Sequence, residues 1–187
     1  MVFPWMHNGS LATYLQRSTE LTIESKLRIL WQVAAAINYL HLKGIVHGDL
    51  TANNILIDAN HDAYVSDHGI LTMCSELCGT SYIRSNVRWA APELFEVPEN
   101  LPNSASDVYS FGCIMFQVMT GQPPFADVQS NHAVALQIFA GEKPQRPSNP
   151  SVAESFWDFI ETCWRDAGGR PSAADVVSFL ELVQRNL

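Results

Sequence analysis

Most apolar positions of this chain fall into helical spacing, and one short central region carries brief apolar runs that read as strands. Val2-Phe3 is too short to define an element. Asn8-Gly9 reads as a turn, and Ser10 caps a short helix over Leu11–Gln16. A long helix covers roughly Ile23–Leu42, with Leu27, Leu30, Trp31, Ala34, Ile37 and Leu40 on its apolar side and Gly44 as its terminator. A loop over 45–54 leads into a strand at 55–57, a turn at Ala59-Asn60 and a strand at 63–66. From Asp67 to Pro92 the pattern is polar and irregular. Asp107–Thr120 is nearly all apolar and stops at Gly121, which predicts a helix buried on most sides. Asn131–Ala140 is helical up to Gly141, and the three prolines within 142–150 predict a loop. Ser151-x-x-Glu154 reads as a capping box opening a helix to about Trp164, and Ser172-x-x-Asp175 opens the last helix in the same way.

The length of 187 residues suits a single domain with a substantial core, and an apolar share of 47% excludes a disordered chain. Lys and Arg number 11 against 19 Asp and Glu, a formal charge of −8, with no basic block. That balance argues against nucleic-acid and anionic-membrane partners. Cys74, Cys78, Cys113 and Cys163 follow neither a metal-ligand nor a disulfide-framework spacing, so they read as reduced thiols of a cytoplasmic protein. Met1 to Trp5 carries neither a basic start nor a long apolar stretch, and the apolar run from Phe111 to Met119 is too short for a bilayer.

The chemistry concentrates in His47-Gly48-Asp49-Leu50-Thr51-Ala52-Asn53-Asn54, which runs into Ile55-Leu56-Ile57. An Asp and an Asn five residues apart in a loop, followed by Asp67-His68-Gly69, offer short-chain oxygen ligands beside strands. Such a set suits Mg²⁺ and phosphate chemistry.

The pattern resembles the catalytic loop and the metal-binding loop of the protein kinases. His-Gly-Asp is also usual in small-molecule phosphotransferases, and the later motifs separate the two groups. Ala91-Pro92-Glu93 is similar to the end of the protein-kinase activation segment. Ser106-Asp107-Val108-Tyr109-Ser110-Phe111-Gly112 is similar to the start of the family's buried central helix, and Arg170-Pro171-Ser172 to its late Arg motif. The resemblance covers nearly the whole chain as the helical C-lobe. It implies a mainly α, α+β kinase-like C-lobe: a helical bundle with a short two-stranded β element carrying both loops.

It also implies residue roles. Asp49 accepts the hydroxyl proton or orients the hydroxyl, and Asn54 and Asp67 hold Mg²⁺. Pro4, Met6 and Leu56 line the adenine site of ATP, with Phe3 at the gatekeeper position. His47, Asp107, Glu93 and Arg170 are structural, the last two as a buried ion pair. The implied partner is a protein substrate or another protein.

Several departures qualify this picture. No Gly-rich loop and no Val-Ala-x-Lys strand occurs before the hinge, so residues 1–187 read as hinge plus C-lobe without an N-lobe. Gly48 stands where an Arg usually binds an activation-segment phosphate, which implies no such switch. His68 replaces a Phe. Thr51 and Asn53 replace the Lys and Arg that mark Ser/Thr and Tyr kinases, while Arg88-Trp89 leans toward the tyrosine-kinase-like group. Two readings follow: a kinase domain impaired as it stands, or a non-catalytic module that recruits partners through its helical face.

Overall fold

The computed structural model describes residues 5–18, 21–67, 86–96, 100–147 and 153–186. Seven α-helices and one two-stranded sheet occur among them. Helix α1 spans Leu11–Arg17, with the Ser10 side chain accepting from the Thr13 N–H. Helix α2 spans Ile23–Leu42 and starts at Thr22, whose hydroxyl accepts from Ser25. It ends as its sequence predicts. Gly44 sits at φ +71°, and the Ile45 N–H reaches back to the Leu40 carbonyl at 2.9 Å.

Strands β1 (Ile55–Ile57) and β2 (Ala63–Val65) pair antiparallel, with Leu56 opposite Tyr64. Ile55 and Ile57 are fully buried on one face, so Leu56 is turned to the other, where it is half-buried. Segment 8–12 covers the free edge of β1. Asn8 N–H donates to the Ile57 carbonyl at 3.1 Å, and the Gly9 carbonyl accepts from the Ile57 N–H at 2.8 Å.

Helix α3 is one short turn, Glu93–Glu96, preceded by a 3₁₀ turn at Val87–Trp89 inside the segment predicted to be irregular. Helix α4 (Ser104–Thr120) is the centre of the molecule, and every residue from Ser106 to Met119 is buried. It begins three residues before the predicted Asp107 because Asn103 and Ser106 form a capping box there. Asp107 therefore lies in the first turn of α4. Helix α5 spans Asn131–Phe139, α6 Glu154–Cys163 and α7 Ala173–Arg185. The predicted Ser172–Asp175 capping box is present. Helix α6 starts at Glu154 after Ala153, with no side-chain capping bond, and the Glu154 carboxylate forms a bidentate pair with Arg146 at 2.7 and 2.5 Å. Ser151 itself lies outside the described residues.

Helix α2 packs along α7 and against β2, while α4 fills the space between α2 and α6. The α4–α6 contact is unusually close. A Cβ on Gly112 would lie 2.8 Å from both the Cys163 Cβ and the Trp164 Nε1. Trp164 is wedged there among Tyr109, Phe116 and Trp157, with ring centroids 6.0–6.5 Å away. Gly112→Ala is therefore expected to overpack this seam and lower the unfolding free energy by roughly 1–3 kcal/mol, as read by urea denaturation. Burial pushes the Cys113 thiol well above its ordinary range and the Cys163 thiol up to about 12, so both are inert hydrophobic fillers. Cys74 and Cys78 lie outside the described residues. No helix among the described residues is long and apolar enough to cross a membrane.

Candidate functional site

The loop between α2 and β1 is held from below by Asp107. Its Oδ2 accepts the His47 N–H at 2.8 Å and its Oδ1 accepts the Gly48 N–H at 2.9 Å. The imidazole of His41, in the last turn of α2, donates its Nε2–H to the same Oδ2 at 2.8 Å. Asp107 is 1% exposed, so its charge depends on these donors. Gly48 sits at φ +82°, a conformation that costs a residue with a Cβ roughly 1 kcal/mol. The Gly that departs from the usual Arg thus suits the backbone of this turn.

His47 is fully buried. Its Nδ1 accepts the Asp49 N–H at 3.2 Å, and its Nε2 donates to the Ser66 carbonyl at 3.0 Å. One neutral tautomer satisfies both bonds. His47 therefore ties the loop to the end of β2 and does not face the open side of the site.

Asp49 and Asn54 meet directly. The Asn54 Nδ2 donates to the Asp49 carbonyl at 2.8 Å and to its Oδ2 at 3.1 Å. That orientation leaves the Asn54 side-chain oxygen for a cation. Ser66 links this pair to Asp67: its N–H and Oγ–H donate to the Asn54 carbonyl at 2.9 and 3.1 Å, and its Oγ lies 3.1 Å from the Asp67 Oδ2. Asp67 is exposed and left-handed at φ +59°, a strained conformation of the kind that collects at functional sites. The Asn54 side-chain oxygen and the Asp67 carboxylate, on segments linked by Ser66 through the Asn54 main-chain carbonyl, are hard-oxygen donors of the kind that suit Mg²⁺.

On the far side, Arg170 forms two bonds with Glu93, at 2.6 and 2.8 Å, as the motifs predict. It also donates to the carbonyls of Arg165 and Ala105 and lies over the Tyr109 ring. The pair pins α3 to the start of α4.

Of the adenine-site residues, Leu56 lies on the open face of β1, and the Met6 carbonyl accepts from Gly9 at 3.0 Å in the turn leading to α1. Phe3, Pro4 and His68 lie outside the described residues.

Sequence reasoning missed three participants. His41 carried a signal, since it continues the buried stripe Leu30, Ala34, Ile37 and is polar. Asn86 carried none. It lies in an aperiodic stretch, yet its Nδ2 donates to both Asp49 carboxylate oxygens, at 2.9 and 3.0 Å. Arg88 was noted only for its place before Trp89. Its guanidinium donates to the carbonyls of Pro124, Phe125, Val128 and Gln129, locking segment 86–90 onto the loop before α5.

A catalytic-type loop seated on the first turn of a buried helix, beside a two-stranded sheet and a Glu–Arg pair, defines the C-terminal lobe of a protein kinase. The chain belongs to the protein tyrosine and serine/threonine kinase family, whose profile matches residues 1–180. It is 33% identical to ephrin type-A receptor 6 of Rattus norvegicus over 193 aligned residues, which cover 100% of this chain and 18% of that protein. It is 31% identical to the serine/threonine/tyrosine-protein kinase HT1 of Arabidopsis thaliana, over 97% of this chain and 46% of that protein. The similarity to ephrin type-A receptor 5 of Gallus gallus is 32% over 100% of this chain and 19% of that protein. The chain thus spans less than half the length of these relatives, as the C-terminal portion of a kinase domain.

Proposed function

We propose that residues 1–187 form the hinge and C-lobe of a protein kinase domain, contributing the lower half of a site for phosphoryl transfer from Mg-ATP to a protein Ser, Thr or Tyr hydroxyl. The observation that carries this reading is the joined Asp49–Asn54 pair in a loop whose backbone is seated on buried Asp107. Asp49 orients the acceptor hydroxyl and takes its proton. Asn54 and Asp67 hold Mg²⁺, which neutralises charge on the phosphates when bound. Leu56, with the backbone of Pro4 and Met6, receives the adenine. His47, Asp107, Glu93 and Arg170 keep the two segments in register. The buried thiols fit a cytoplasmic setting.

A second reading, a non-catalytic module that recruits partners through its helical face, is favoured by exposed apolar side chains on helices, Leu136 at 59% and Phe139 at 64% on α5.

These 187 residues carry no Gly-rich loop and no Val-Ala-x-Lys strand. Losing one preorganised electrostatic contact costs about 10²–10³ in rate, and here the phosphate loop and its Lys are both missing. The 187-residue chain is therefore expected to bind Mg-ATP weakly, with heat of binding lost on Asn54→Ala, and to transfer no measurable phosphate to casein or to a Tyr-containing copolymer. Turnover that disappears on Asp49→Ala would show that the chain is active by itself. An absence of any nucleotide heat favours the binding module.

A further inference from the structure

We propose that the groove where α2 ends against the starts of α4 and α7 is a docking site for an acidic, amphipathic peptide segment of a partner protein. The inference stands apart from the phosphotransfer reading, because none of the residues assigned to Mg²⁺, nucleotide or the acceptor hydroxyl lines this groove. The groove holds about 520 Å³, within the range of ligand-binding clefts. Its walls are apolar: Ile45 and Val46 from the turn after α2, Val108 from α4, and Pro171 and Ala173 from the start of α7. The apolar surface continues outside it. Tyr39 is 61%, Leu42 76% and Ile45 39% exposed, and helical spacing puts Tyr39 beside Leu42. Three large exposed apolar side chains thus gather at one edge, where single scattered ones are the rule. A ligand small enough to sit inside the groove would leave them in water, whereas a polypeptide covers both.

Two polar groups in the wall are unspent. The His41 imidazole commits Nε2 to Asp107 at 2.8 Å, which leaves Nδ1 as an acceptor. The Asn38 side-chain amide makes no hydrogen bond among the described residues. An acceptor and an amide beside apolar walls suit the N–H and C=O groups of a main chain.

Charge sets the sign of the partner. The chain carries 19 Asp and Glu, yet among the described residues none of them lines this groove. Lys43, between the lining residues Leu42 and Gly44, holds its Nζ 5.7 Å from the centroid of the Tyr39 ring and makes no ion pair among the described residues. Arg28, Arg146 and Arg170 are by contrast each paired with a carboxylate. A cation left unneutralised beside an apolar groove without acids complements an acidic residue flanking apolar anchors.

The test uses the 187-residue chain and a phage-displayed random peptide library. The recovered peptides are expected to combine spaced Leu, Phe or Trp with Asp or Glu. Synthetic copies are expected to shift the Leu42, Ile45 and Val46 methyl resonances while those of Leu136 on α5 stay still, a measurement that needs no variant. Ile45→Glu and Lys43→Glu, both at exposed positions, are expected to keep the urea midpoint and to weaken the peptides by roughly tenfold or more in fluorescence anisotropy. No enrichment above background, basic peptides, peptides that bind Ile45→Glu as well as the parent, or shifts at Leu136 instead overturns the proposal. Decanoate is the small-molecule control: if it moves the Ile45 methyl and no peptide does, the groove takes a small amphiphile and the proposal falls. Mg-ATP calorimetry bears on the phosphotransfer reading alone, so the two fail separately.

Discussion

Asp107→Ala is expected to lower the unfolding free energy by roughly 3–5 kcal/mol and to release the loop from His47 to Asn54. The side chain is 1% exposed and accepts from the His47 N–H, the Gly48 N–H and the His41 Nε2–H within 2.9 Å. Removing it takes the acceptor from three donors at once, the His47 N–H among them fully buried beneath the loop. Asp107→Asn separates acceptor chemistry from volume. The amide keeps the shape, but its NH₂ must face either the two donors on Oδ2 or the one on Oδ1, so a donor meets a donor. It is therefore also expected to destabilise, and hydrogen exchange in 47–54 is expected to accelerate well before that of α4 and α7. A fully stable Asp107→Asn protein with a protected loop would refute this account.

The same network shows what the sequence could reveal. Helix α4 was legible from its unbroken apolar run, and α2 from its apolar stripe and the Gly44 stop, because both signals are local and periodic. The two strands were legible as short runs on either side of the Ala59-Asn60 turn. The first turn of α4 was hidden because Asn103 and Ser106 cap it with side chains that look like loop residues. The start of α6 carries a contact that is not local. Arg146, eight residues before Glu154, takes the carboxylate into a bidentate pair that no local motif predicts. Within the site, Asp49, Asn54 and Asp107 could be read from their motifs. Asn86 could not, because its contact with Asp49 joins residues 37 apart through a segment without periodicity.

Arg170→Ala is expected to cost roughly 3–5 kcal/mol and to disorganise more than its own surroundings. The Arg170 side chain is 2% exposed and that of Glu93 is 20% exposed. The guanidinium makes two bonds to Glu93 and one each to the Arg165 and Ala105 carbonyls, and it lies 5.1 Å from the centroid of the Tyr109 ring. Lys reproduces the charge but not the planar fork, so Arg170→Lys is expected to recover only a minor part of the loss. Glu93→Gln is expected to be milder than either, since the amide oxygen still accepts one guanidinium bond. Urea unfolding of the three variants gives the order, and a lysine variant as stable as the parent would remove the fork from the argument. The consequence for the site follows from position. The pair anchors α3, which continues the segment carrying Asn86, so Arg170→Ala is also expected to loosen the Asn86–Asp49 contact and to average the Asp49 Hα–Hβ couplings seen by NMR. A loss of stability with the Asp49 rotamer intact would mean that Arg88, with the Ser110 hydroxyl on the Trp89 carbonyl, holds Asn86 without help from the ion pair.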